Sequence, residues 1–174
     1  MKTALVIIDM QNGFMNEYTK WNVDPIVQIA DSFDYVIGTR YINHLGTACY
    51  RFEGWKDCMM GTESVELVDE IKEICDVVID KDKYSCWNSE FVDYIRDNNI
   101  GRLMFVGVNT ACCVLASVFD TYNNLIDSYV IDSLCASTNG TESHLRGLEV
   151  LRETITKDRV IGVTDVQSLL EDNI

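Results

Sequence analysis

The sequence predicts a doubly wound α/β fold, three layers deep (αβα), with helices on both faces of a mostly parallel sheet. Three observations predict it. Short runs of consecutive apolar residues, such as Ala4 to Ile8 and Leu103 to Val106, suit strands buried on both faces. Between such runs lie segments with apolar residues at helical spacing, so strands and helices alternate along the chain. At 174 residues the chain is sized for a single domain, expected to span 1–174. A chain of that size buries roughly two-thirds of its unfolded surface without staples.

Ala4 to Ile8 is the first strand, and Asp9 falls at its carboxyl end, ahead of the polar loop Gln11-Asn12-Gly13. In open α/β sheets the carboxyl ends of strands are where ligands bind. Asp24 is expected to cap a helix with Pro25 in its first turn, running to about Ala30. Tyr35 to Ile37 is a second strand, ending in Thr39-Arg40. From Tyr41 to Thr62 no period survives, and aromatic residues (Tyr50, Phe52, Trp55) are scattered through the stretch. Loops this long inside compact domains are usually functional or mobile.

Glu63 to Cys75 resumes helical spacing, with Val65, Leu67, Val68, Ile71 and Ile74 on its buried side. Val77 to Ile79 is the third strand, and Lys81 lies just past its end. Glu90 to Asp97 reads as a helix through Phe91, Tyr94 and Ile95. Leu103 to Val106 is the fourth strand; Asn109 and Thr110 then make a polar turn, and a helix runs from Ala111 to about Asn123 with Cys113 in its first turn. Ser128 to Ile131 is the fifth strand, ending in Asp132. Glu142 to Thr154 is a long amphipathic helix, Val160 to Val163 a last strand, and Val166 to Leu170 a closing helix.

Composition narrows the function. No run approaches the ~20 apolar residues of a membrane span. The N-terminal apolar run stops at Asp9 with no small-residue cleavage site after it, so it reads as a strand rather than a signal peptide, and a cytoplasmic location is expected. A net charge of −14 argues against nucleic acid and anionic membranes as partners, because tracking phosphates needs a basic stripe. The seven cysteines contain no C-x-x-C pair, which fits reduced thiols in a reducing compartment. With only His44 and His144, a zinc cage is poorly supported.

Asp9, Lys81 and Cys113 each follow a different predicted strand at its carboxyl end, so neighbouring strands would bring all three into one crevice. Singly, each has a plain explanation: a turn cap, a solvated lysine, a small buried hydrophobe. Together, the plain account needs three coincidences. A thiol at a helix start meets unpaired N–H groups and the positive end of the helix dipole, which favours its thiolate. Two opposite charges ~4 Å apart attract by ~4 kcal/mol at an effective dielectric of ~20, so Lys81 is expected to lower the Cys113 pKa further. Phe14, Tyr84 and Trp87 flank the crevice in sequence as candidate aromatic walls.

These residues stand in stretches that resemble the isochorismatase-like cysteine hydrolases, which include nicotinamidases, N-carbamoyl amidases and isochorismatases. LVIIDMQNGF is similar to that family's opening strand, with Asp9 in the place of its catalytic aspartate. IDKDKYSCWNS resembles its K-x-x-Y-S-A-F segment, which selects Lys81 over Lys83 and puts Cys86 in the alanine place. VGVNTACCV resembles G-V-x-T-x-x-C-V and selects Cys113, not Cys112. Gly61-Thr62 and VIDSLCAS followed by His144 are smaller echoes.

The resemblance implies a Rossmann-like three-layer fold and hydrolysis of a small amide or carbamoyl substrate through a thioester. It also implies a cis peptide at Val108–Asn109, an oxyanion hole from the N–H groups of Asn109 and Cys113, and a homo-oligomer. No cofactor is expected. Metal-bearing nicotinamidases carry D-x-H after the second strand, whereas here Tyr41 and Asn43 stand in those places and leave His44 alone, so no metal is expected either. Two alternatives stand beside amide hydrolysis: vinyl-ether cleavage of the isochorismatase type, and a silent binding or assembly protein on the same scaffold. Retention of the cysteine with Asp9 and Lys81 favours the amidase.

Overall fold

A computed structural model describes residues 1–171, and the last three residues of the expected 1–174 domain lie outside that range. Six strands form one sheet in the order β3-β2-β1-β4-β5-β6, every pair parallel. They are β1 (Lys2–Ile8), β2 (Tyr35–Tyr41), β3 (Val77–Lys81), β4 (Ile100–Val108), β5 (Asp127–Ala136) and β6 (Val160–Ile161). The helices are α1 (Val23–Ala30), α2 (Asp69–Ile74), α3 (Ser89–Asp97), α4 (Leu115–Asn123), α5 (Thr141–Thr154) and α6 (Val166–Glu171).

The all-apolar character of the first strand has a direct cause. Ala4, Val6 and Ile8 point into a core shared with Phe91, Val118 and Leu148 of α3, α4 and α5. Leu5 and Ile7 point into the opposite core, with Ile26 and Ile71 of α1 and α2 and Val166 of α6. A strand sandwiched this way has no solvent face on which to place polar residues. Chain order reverses between β1 and β4, and a doubly wound sheet opens its ligand crevice at such a switch point. Asp9 follows β1 there and Cys113 follows β4.

Several elements depart from expectation for identifiable reasons. The helix expected over Glu63–Cys75 is broken: Glu63–Val65 is a tight turn, Leu67 is extended, and α2 starts only at Asp69. The loop after β1 captures the segment, with Asn12 N–H donating to Glu66 O (2.9 Å), Val68 N–H to Met10 O (2.9 Å) and the Gln11 amide to Val65 O (2.8 Å). Asp24 lies inside α1 and does not cap it; Asn22 occupies the cap position, its side-chain amide spent on Leu134 O at 2.6 Å.

β5 continues past Asp132 to Ala136, with a register shift opposite Phe105/Gly107. At that shift Gly107 takes φ +107°, and a Cβ there would collide with Ile8 O, so only glycine lets β4 pass the end of β1 this closely. The 41–62 stretch is mostly irregular and holds one wide helical turn, Cys49–Glu53. Among the described residues no helix is long and apolar enough to cross a membrane.

Candidate active site

Asp9 ends the first strand in the left-handed backbone region (φ 49°), which Asp tolerates better than most residues. β2 fixes it there: Thr39 Oγ1 donates to Asp9 Oδ1 at 2.7 Å and accepts from the Asp9 N–H at 3.1 Å. Lys81 is the last residue of β3, so β2 separates its strand from β1, and the lysine reaches the crevice by side-chain length rather than by strand adjacency. Its Nζ lies 2.7 Å from Asp9 Oδ2, with both side chains buried. The ammonium also donates to Lys83 O (3.1 Å) and Tyr84 O (3.0 Å). Asp9 Oδ2 pairs with the Lys81 ammonium, and the carboxylate also meets the Cys113 thiol.

Cys113 adjoins this pair and interacts with the Asp9 carboxylate. It does not lie in the first turn of an α-helix. Thr110–Val114 forms a single wide π-type turn ahead of α4, a distortion that recurs at functional sites. The Asn109 carbonyl anchors that turn by accepting from Cys112 N–H (3.0 Å) and Val114 N–H (3.2 Å), and Asn109 Oδ1 accepts from Thr138 N–H at 2.6 Å. The Val108–Asn109 peptide is cis. Thr110 Oγ1 donates to Ala136 O (2.9 Å); with its one proton so used, His144 Nδ1 donates to it at 2.8 Å. Gly147 of α5 lets that helix press on the turn, since a Cβ would come 2.7 Å from Ala111 N.

The electrostatics correct the expected thiolate. Burial pushes the Cys113 thiol well above its ordinary range; Lys81 pulls it down, and Asp9 pushes it up again. For Lys81, burial works against the charged form, but Asp9 and then Cys113 outweigh it and the pKa is raised. At the sulfur, loss of water wins over the pull of an ammonium already partly neutralised by Asp9. Desolvation therefore favours the thiol over the thiolate beside this ion pair.

A cavity of about 360 Å³ opens over Cys113 and Asn109, a size suited to a small molecule. Phe14 and Tyr84 line it as expected. Trp87 does not: it packs on the core side against Phe91, ring centroids 6.2 Å apart. Asn88 turns the chain at this point, capping α3 through Phe91 N–H (2.9 Å) and donating to Asp80 O (3.0 Å). The other walls are Trp55, stacked on Phe14 at 5.4 Å, and Tyr41, 6.0 Å from Trp55.

Trp55 was visible as an aromatic in the aperiodic loop. Tyr41 was singled out only as the residue in the place of the D-x-H aspartate, not as a wall, and Glu53, also on the wall, carried no signal. Gln11 was legible only as loop. Its side chain accepts from Tyr41 N–H (2.7 Å) and donates to Tyr41 O (3.0 Å), clamping the end of β2 beside the site. Arg40, by contrast, turns away to Asp80 and Glu66.

The residues standing where metal-bearing nicotinamidases carry D-x-H do not fit a metal. Asn43 spends its amide on Trp55 O (2.9 Å) and Asp57 O (3.0 Å) and its oxygen on Thr47, and so latches the loop. Tyr41 offers a ring face to Lys81 Nζ, 5.3 Å from the centroid. His44 is half exposed, 3.3 Å from Asp82. Among the described residues no His, Cys, Asp and Glu side chains cluster as a metal site.

Comparison with known proteins bears on the family directly, since the isochorismatase domain model matches residues 3–168. The chain belongs to the isochorismatase family. A curated relative, isochorismatase family protein 1B of Dictyostelium discoideum, is 23% identical over 87% of this chain and 71% of its own length. Among solved structures, an isochorismatase-like hydrolase from Alkaliphilus metalliredigens superposes with TM-score 0.85 at 20% identity, covering 97% of this chain and 99% of the other. The nicotinamidase PncA of Bacillus subtilis gives 0.76 at 22% identity over 89% of this chain and 97% of its own. N-carbamoylsarcosine amidase from Thermoplasma acidophilum gives 0.77 at 21% over 88% and 92%. At these identities the structural matches establish the isochorismatase-like fold.

Proposed function

We propose that this isochorismatase-family chain is a cysteine hydrolase of a small amide or carbamoyl compound, cleaving its C–N bond with Asp9, Lys81 and Cys113. One observation carries the reading: a buried carboxylate–ammonium pair, 2.7 Å apart, meets the cavity-lining thiol of Cys113 at the switch point of the sheet. Nicotinamidases and an N-carbamoylsarcosine amidase share the fold, which supports amide chemistry.

The reaction follows from the groups present. As Sγ bonds to the substrate carbonyl carbon, Asp9 Oδ2 takes the thiol proton. The N–H groups of Asn109 and Cys113 receive the developing oxyanion; one such donor is worth ~3 kcal/mol in comparable sites. Asp9 returns the proton to the leaving nitrogen, the C–N bond breaks, and a thioester and an amine or ammonia result. Asp9 then deprotonates a water that adds to the thioester. Collapse releases the acid and the sulfur, which recovers its proton from Asp9. Lys81 stays paired with the carboxylate and steadies the transient thiolate.

Vinyl-ether cleavage has no use for a sulfur poised against the general base, so the amide reading is preferred. Ammonia release over primary amides, ureido compounds and nicotinamide tests it, with Cys113→Ala as control. Turnover that survives Cys113→Ala refutes the mechanism.

A further inference from the structure

We propose that the substrate carries a cationic nitrogen group remote from its scissile carbonyl, and that Glu53 at the cavity wall is the residue that selects it. The inference rests on the amide-hydrolase reading and adds a substrate class to it. Four observations converge. Glu53 is the only charged side chain lining the cavity among the described residues. No described lysine or arginine lines it, so an anionic substituent would meet no counter-charge. Beneath the floor, Lys81 is already committed to Asp9 at 2.7 Å and to the carbonyls of Lys83 and Tyr84. Glu53 itself makes no ion pair with any described residue, and its one side-chain hydrogen bond is from Tyr84 Oη to Oε1 at 3.0 Å.

The walls are aromatic: Phe14 stacked on Trp55, with Tyr41 and Tyr84 beside them. A carboxylate set among apolar ring walls favours a cation and opposes an anion. Tyr84 ties the two ends of the cavity together. Its carbonyl accepts from Lys81 at the reacting end, and its hydroxyl orients Glu53 at the other.

The test compares three benzamides with one skeleton, substituted in the meta position by aminomethyl (cationic), hydroxymethyl (neutral) or carboxylate, by ammonia release. Expected kcat/KM falls in that order, about a hundredfold from ammonium to carboxylate, with the difference carried by KM. Glu53→Gln should shrink the ratio about tenfold, Glu53→Asp should restore part of it, and Tyr84→Phe should fall between. A carboxylate accepted as well as the ammonium, or a ratio indifferent to Glu53→Gln, overturns the proposal.

A second arm does not depend on turnover. In a Cys112→Ser background, Cys113 is modified with trimethylammonioethyl or with sulfonatoethyl methanethiosulfonate, and its labelling is read by mass spectrometry. Faster cationic modification that slows in Glu53→Gln supports charge selection. If that holds while no amide is hydrolysed, the amidase reading fails and the charge preference stands; equal rates with both reagents sink the charge preference itself.

Discussion

Two buried or half-buried ion pairs sit at opposite ends of the sheet, and they differ in what stands beside the carboxylate. At the amino end, Asp127 opens β5 between Arg102 (2.7 Å) and Arg159 (2.6 Å). Each arginine also donates to a carbonyl, Leu169 O at 2.6 Å and Ser128 O at 3.2 Å, and lies over Tyr129. At the carboxyl end, Asp9 has one cation, one hydroxyl and a thiol beside it. The first cluster sets its carboxylate between two guanidinium groups, which keep their protons, and ties strands β4, β5 and the start of β6 together. The second sets its carboxylate beside an ammonium and a thiol, and a thiol has a proton to give. The neighbour of the carboxylate distinguishes the two pairs.

Substitutions should break this contrast in a definite order. Cys113→Ala is expected to abolish amide turnover, about 10⁴-fold or more, while the melting curve keeps its shape. Lys81→Met should cost about 3–5 kcal/mol in denaturant unfolding, because it strands the Asp9 carboxylate in the interior. Adding Asp9→Asn to it should recover part of that loss.

Asp127→Asn should cost about 1–3 kcal/mol at pH 7 through lost charge-assisted hydrogen bonds. Burial raises the Asp127 pKa, but Arg159 and Arg102 outweigh it and the value is lowered. A depressed carboxylate pKa adds stability above the unfolded value of about 3.9 and loses it as pH falls through the folded one. The gap between wild type and Asp127→Asn should thus close in melts taken below pH 4, with activity at pH 7 little changed.

Asp9→Asn sharpens the comparison because its two readouts move in opposite directions. Asp9 raises the Cys113 pKa, so removing its charge should speed iodoacetamide labelling of Cys113 at pH 8 while hydrolysis collapses. In the wild type the labelling rate should still climb above pH 9, with no plateau near neutrality. The smallest effect concerns His144, whose pKa is lowered by burial, with Asp132 opposing and Arg152 assisting. The unfolded chain binds the proton first, so stability should decline as pH drops below about 6.5, and His144→Gln should flatten that slope.

Much of this was legible along the chain, and what was not has a common cause. Six strands, their order along the chain and Asp9, Lys81 and Cys113 at their carboxyl ends could be read because a two-sided core demands unbroken apolar runs. The helix over 63–75 could not be read correctly, since its apolar spacing is helical and only hydrogen bonds to Met10, Gln11 and Asn12 pull residues 66–68 straight. Trp87 looked like a wall residue because it adjoins Tyr84 in sequence, yet the turn at Asn88 puts it on the core side. Glu53 was one acid among many in a chain of net charge −14. Its place on the cavity wall depends on the Cys49–Glu53 turn folding back over Tyr84.

By itself, the sequence determined the fold class and the residue types that can do chemistry, because apolar periodicity and strand-end positions are local properties. The tertiary structure decided the desolvation of Cys113, the reach of Lys81 across β2, and which aromatic and acidic side chains line the cavity. Those depend on desolvation and on contacts between segments dozens of residues apart, and no window of sequence contains either.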